Sequence, residues 1–272
     1  MHYYHFDENQ LVENPKMAVT ILPDNLQIFK EMAREMIETI EENNLLQQSS
    51  VLIVPVGPVG QYSYFVEEVN TRQISLKKTW FINMDEYVVN HEWIDQKNLL
   101  SFRKFMNEEV YAKIDANLIM PVQQRVFPNP NDIEEIPTLL AQLGKIDLVI
   151  GGIGVNGHVA FNEPNSSLTV EEYLQLPTRL QEIAFETRVV NAVASLHGAY
   201  ELMPTMCVTV GMKEIYSAKK IRLGVFRDWH RSVIRKALYA EPTTAFPVTL
   251  LQSHENIQIY CTKFVAQLSD SL

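Results

Sequence analysis

The stretch Ile146-Asp-Leu-Val-Ile-Gly-Gly-Ile-Gly-Val-Asn-Gly-His-Val-Ala-Phe-Asn-Glu-Pro164 decides the fold class. Its first five residues are a short apolar run that reads as a buried strand, and the run empties into glycines. His158 and Glu163 follow, an imidazole and a carboxylate five positions apart, before Pro164 stops the segment. In open α/β sheets the loops leaving the carboxyl ends of the strands build the binding crevice. This segment has the form of such a loop.

Working outward, similar strands alternate with helices. Val51–Val56, Lys78–Asn83, Met206–Val210, Ile221–Val225 and Ile257–Cys261 are short apolar runs rich in β-branched or aromatic residues. Asp24 precedes a helix on which Leu26, Phe29, Met32, Met36 and Ile40 recur at spacings of three and four. Tyr62, Phe65 and Val69 mark an amphipathic segment, and Leu99–Ile114 carries helical spacing through Phe102, Phe105 and Val110. Ile133–Leu143 and Ser232–Tyr239 also read as helices, whereas the proline- and asparagine-rich Pro121–Pro137 reads as a loop. The alternation predicts an α/β fold: a mostly parallel sheet with helices on both faces. No repeat, low-complexity tract or linker interrupts it. One domain is therefore expected over 18–272, behind a polar, aromatic-spotted extension over 1–17.

Composition narrows the function. The chain of 272 residues carries 23 basic and 33 acidic side chains, a net charge of -10. That balance gives no general electrostatic footprint for nucleic acid or an anionic membrane, though a local basic pocket remains open. Cys207 and Cys261 cannot by themselves form a disulfide framework or a four-ligand zinc site, and reduced thiols are expected. The start, MHYYHFDENQ, lacks the basic and apolar regions of a secretory signal. A cytoplasmic protein is expected.

Three loops carry residue types suited to chemistry. Gly57-Pro-Val-Gly60 follows a strand and precedes a helix, so Gly57, Val59 and Gly60 could direct backbone N–H groups at an anion; a plain tight turn explains the glycines equally well. Asn83-Met-Asp-Glu-Tyr87 places Asp85 and Glu86 at a strand's exit, where a carboxylate serves as a general base or merely caps the next element. In the third loop Gly152, Gly154 and Gly157 match the G-x-G-x-x-G spacing of dinucleotide-binding sites. That match is weak, because His158–Pro164 alternates and stops instead of opening a helix. A histidine oriented by a carboxylate is a good proton shuttle near neutral pH. The blander alternative is a histidine that satisfies buried backbone groups.

Phe81-Ile-Asn-Met-Asp-Glu-Tyr87 and Gly151–Pro164, taken together, resemble the glucosamine-6-phosphate deaminase family. The resemblance continues through Glu186-Thr-Arg188, Leu202–Met212 and Pro247–His254, and covers roughly residues 18 to 266. It implies a Rossmann-like fold of the sugar-phosphate isomerase type, shared with 6-phosphogluconolactonases. It also implies aldose–ketose isomerisation with loss of ammonia from C2, without metal or organic cofactor. In that scheme Asp85 moves a proton between C2 and C1, while His158, assisted by Glu163, serves ring opening. Asn156 stands where family members often carry aspartate; it can orient an imidazole but adds no charge. Glu86, Gly154 and Gly157 fall in the motifs and are expected near the substrate.

The phosphate-binding elements depart furthest. The family's first loop resembles T-G-G-T-P, and here Val56-Gly-Pro-Val-Gly60 lacks both hydroxyls, while Pro58 has no N–H. The arginine expected after Arg188 falls near Val193, and the expected lysine falls at His230, or at Arg231 with one deletion. Losing two charge-assisted hydrogen bonds weakens binding about a hundredfold or more, unless Arg227, Arg231 or Arg235 turns inward. Two main readings stay open: an enzyme on an amino sugar or its phosphate, or a catalytically altered paralogue that binds or senses a sugar. A nucleotide-dependent oxidoreductase is a third. In each, the partner is a small molecule, and a homo-oligomer stays open.

Overall fold

The computed structural model describes residues 2–268; Met1 and the last four residues of the expected domain lie outside them. Among the described residues eleven strands form two sheets. The larger takes β1 (Ala18–Leu22), β2 (Ser50–Val54), β3 (Thr79–Asn83), β6 (Arg125–Val126), β7 (Leu148–Gly151), β10 (Ile221–Val225) and β11 (Ile257–Thr262). Their order is β1-β11-β10-β7-β2-β3-β6, and every pair is parallel. The mostly parallel sheet read from the alternation is present.

Strand parity explains its two covered faces. Val51 and Ile53 of β2 join one apolar layer while Leu52 and Val54 join the other, as the period of two requires. The helices Asn25–Leu45 and Gln61–Arg72 pack on the second face through Ile28, Met32, Met36, Ile40, Tyr62, Phe65 and Val69. The helices Glu135–Leu143 and His230–Tyr239 cover the first face, through Ile136, Leu140, Val233, Ile234 and Leu238. Asp24 caps its helix, accepting from Gln27 N at 2.9 Å, but Leu26 is on the solvent side.

Three expectations need correction. Met206–Val210 does not enter the large sheet. As β9 (Met206–Thr209) it pairs antiparallel with β4 (Asp85–Val89) and β8 (Arg179–Glu182), and β5 (Glu92–Trp93) completes a second sheet. Leu99–Ile114 is no single helix: α-helical Phe102–Phe105 passes into a π turn and then a 3-10 turn, with Leu99 exposed. The extension is also structured. Leu11 is fully buried, Phe6 O accepts from Arg235 Nε at 2.8 Å, and Tyr239 Oη donates to the Gln10 carbonyl at 2.7 Å. Among the described residues no helix is long and apolar enough to cross a membrane.

Candidate active site

The chain builds β2, β3 and β6 toward one edge, then returns to β7 on the other side of β2 and builds β10 and β11 toward the opposite edge. The loops after β2 and β7 therefore diverge, and a crevice opens between them. It is lined by Gly57 and Pro58 after β2, Asp85 after β3, Gly152–Gly154 and His158 after β7, and Phe226–Arg227 with Trp229–His230 after β10. Val190, Asn191 and Ala194 of the helix Phe185–Ser195 complete the wall.

Asp85 sits where the chain crosses from the parallel sheet into the antiparallel one. The residue is 7% exposed, and its side chain takes no hydrogen bond from the described residues. Burial pushes its carboxyl up to about 8, and the adjacent Glu86 charge pushes the same way. Because β4 continues as a strand, Glu86 points to the opposite side. It is fully buried there, accepting from Tyr87 N, Phe102 N, Arg103 N and Ser101 Oγ at 2.9–3.0 Å. Glu86 therefore does not line the cavity: it anchors the start of the 102–105 helix.

The loop after β7 holds His158 by its inner nitrogen. Nδ1 lies 2.7 Å from Asn156 Oδ1, 3.3 Å from Thr187 Oγ1 and 3.4 Å from Glu163 Oε2. The amide oxygen can only accept, so Nδ1 carries a proton, and in the neutral ring Nε2 keeps its lone pair. Asn156 Nδ2 donates onward to Glu163 Oε2 at 2.7 Å. An aspartate here would set two carboxylates at that distance, and both could not ionise; the asparagine bridges imidazole and glutamate without that conflict. Burial acts to raise the Glu163 carboxyl, but the His158 hydrogen bond and charge, with bonds from Asn156 and Thr187, hold it below its ordinary value. In the sequence, Thr187 stands out only through its place in the Glu186-Thr-Arg188 motif.

Gly154 explains how the ring fits so closely. A Cβ there would lie 2.0 Å from His158 Cε1, and the ring cannot swing away without leaving its partners. Gly154→Ala is expected to lower turnover about a hundredfold, the scale set by an ångström of misplacement, with an unchanged far-UV spectrum. Gly157 serves backbone geometry instead: φ is +84°, its carbonyl accepts from Val248 N, and it faces Phe246. The residues after Gly152 form turns and open no helix, so the dinucleotide fingerprint lacks its helix N-terminus.

The expected phosphate-side residues separate. Val59 and Gly60 lie outside the cavity lining, and Gly60 instead begins the Gln61–Arg72 helix against Phe29. Arg231 turns away, with Cζ 4.1 Å from the Phe264 ring centroid. Arg235 is fully buried and donates to the carbonyls of Phe6, Arg231, Val265 and Ala266. His230 lines the cavity, but both ring nitrogens are engaged within the protein. Of the three candidate arginines only Arg227 is part of the lining, together with Asn191 and Trp229, which no motif in the sequence marks.

No family model matches the chain. A curated glucosamine-6-phosphate deaminase from Colwellia psychrerythraea (strain 34H) is 30% identical over 255 residues, covering 92% of this chain and 89% of the relative. Among solved structures, a monomeric glucosamine-6-phosphate deaminase superposes with a TM-score of 0.80 at 24% identity, over 93% of this chain and all of the other. A 6-phosphogluconolactonase from Shewanella baltica superposes with a TM-score of 0.66 at 14% identity, over 90% and 97%.

Proposed function

The chain belongs to the glucosamine-6-phosphate deaminase family, and from that premise we propose that it converts an amino-sugar phosphate to the ketose phosphate with release of ammonia. The observation that carries this reading is the pairing, in one cavity, of a bare buried carboxylate at Asp85 with an imidazole at His158 whose outer nitrogen is unengaged.

His158 Nε2 accepts the anomeric hydroxyl proton and returns it to the ring oxygen as the C1–O5 bond breaks, leaving the open-chain aldehyde. The Asn156–Glu163 relay behind Nδ1 steadies the transient positive charge on the ring. Asp85 then takes the proton from C2, the electron pair moves toward the C1 carbonyl, and O1 gains the proton that the C2 ammonium releases. Return of a proton to C1 leaves C2 as an iminium carbon. Water adds at C2, the C–N bond breaks, and ammonia departs. Two buried free thiols, Cys207 and Cys261, support a reducing, cytoplasmic setting.

Asp85 must be ionised to act, so kcat/KM is expected to climb with pH through about 8, the value to which burial raises its carboxyl. A substrate ammonium beside it favours the charged form. The corresponding limb in kcat should therefore lie at lower pH. Steady-state ammonia release from glucosamine 6-phosphate across pH 5–9 tests both the reaction and the limb. Tight binding of the sugar phosphate without ammonia would instead mark a sugar sensor.

A further inference from the structure

Among the residues that line the cavity one is a permanent cation, Arg227. The residue is exposed, and its side chain has no hydrogen bond or ion pair among the described residues, with Cζ 5.9 Å from the Phe226 ring centroid. The other lining there is apolar or carries no charge: Val56, Pro58, Phe226 and Trp229. On a chain of net charge -10, an anionic substrate needs such a local cation.

The arginine's loop is shaped by His230. That imidazole is 4% exposed, and its Nδ1 accepts from Phe226 N at 3.0 Å and from Arg227 N at 2.8 Å. Accepting two N–H groups leaves Nδ1 bare, so Nε2 carries the proton and donates to Ile153 O at 2.9 Å. One side chain thus ties the loop after β10 to the loop after β7. Burial pushes its basicity down to about 3, which keeps the ring neutral and in this tautomer. His230 consequently offers a ligand neither a charge nor a free donor.

We propose that Arg227 binds the phosphate monoester of the substrate, and that His230 is the positioning residue that holds the Phe226–Arg227 backbone so that the guanidinium meets it. This rests on the proposed function and adds the residue by which the site recognises phosphate. A guanidinium offers two parallel N–H donors to a phosphate, so one arginine can supply what several hydroxyls otherwise would.

The test is binding and turnover with glucosamine 6-phosphate and with unphosphorylated glucosamine. Arg227→Gln is expected to raise KM for the phosphorylated sugar roughly tenfold to a hundredfold, the loss of one charge-assisted contact, with a much smaller change in kcat. It should also erase the extra thermal stabilisation that glucosamine 6-phosphate gives over glucosamine. Arg231→Gln, whose guanidinium lies on Phe264, serves as the control and should retain both. His230→Ala should raise KM like Arg227→Gln, and the double variant should be no worse than Arg227→Gln alone, because His230 acts through the arginine. Additive losses in the double variant would assign His230 a general structural role and overturn its part of the proposal. An unchanged phosphate-dependent shift in Arg227→Gln would overturn the arginine's part. The shift needs no turnover, so it judges Arg227 even if the wild-type chain releases no ammonia, an outcome that would count against the proposed reaction alone.

Discussion

Asp85→Asn is expected to lower ammonia release about 10²- to 10⁴-fold, the usual contribution of a positioned acid–base group, while making the protein more stable at pH 8. Both effects follow from the same burial. The folded chain holds the Asp85 carboxyl at about 8, well above its value in an unfolded chain. Between roughly pH 4 and pH 8 the folded state therefore keeps a proton that the unfolded state has released, and stability falls as pH rises through that window. Asparagine keeps the shape and has no proton to lose. The melting temperature of the variant should exceed that of the parent at pH 8, and the two should converge near pH 4. An inactive variant that melted lower at pH 8 would indicate that Asp85 serves the fold.

Glu86→Ala should have the opposite signature, costing about 3–5 kcal/mol of stability, the scale for leaving the partners of a buried charge unmatched. Three backbone N–H groups and the Ser101 hydroxyl converge on this carboxylate inside the protein, and alanine would leave all of them without an acceptor. The second sheet and the 101–105 turn share that anchor, so loss of order should begin there. Urea denaturation gives the magnitude. Glu86→Gln retains one acceptor oxygen and should lose less. In that milder variant the charge that raises Asp85 is gone, and the pH limb of kcat/KM should move below that of the parent.

The contrast between these neighbours shows what a linear reading can and cannot reach. Asp85-Glu86 looks like two carboxylates at a strand's exit, and either could serve the site. The deciding fact is that the chain continues as β4, whose period of two sends adjacent side chains to opposite sides. A tight turn joins β4 only to the two-residue β5; its longer partner β9, and β8 beyond that, are four-residue strands distant in sequence, with no hairpin turn to advertise the pairing of β4 with β9. β1 escaped notice for a related reason: it is a half-exposed edge strand of five residues. The long helix behind Asp24 and the buried strands β2, β7 and β10 were legible because their apolar periodicity is local.

The same limit governs the site. Asn156, His158 and Glu163 of the Gly151–Pro164 motif are within hydrogen-bonding reach of one another, and the sequence could point to this because all three belong to one short loop. His230, Arg227, Arg231 and Arg235 lie on one loop and helix, and their spacing alone does not tell which turns inward. Packing separates them. Arg235 is consumed by four backbone carbonyls, Arg231 rests on Phe264, and His230 is engaged at both nitrogens, leaving Arg227 at the cavity.

The central claim, that Asp85 carries the proton away from C2, is tested most directly with glucosamine 6-phosphate deuterated at C2. Deuterium NMR should show the wild-type chain moving the label from C2 to C1 of the ketose phosphate or into water as ammonia appears, and Asp85→Asn leaving it at C2. Label that stayed at C2 with the wild-type chain, or that left at the parental rate in Asp85→Asn, would contradict it.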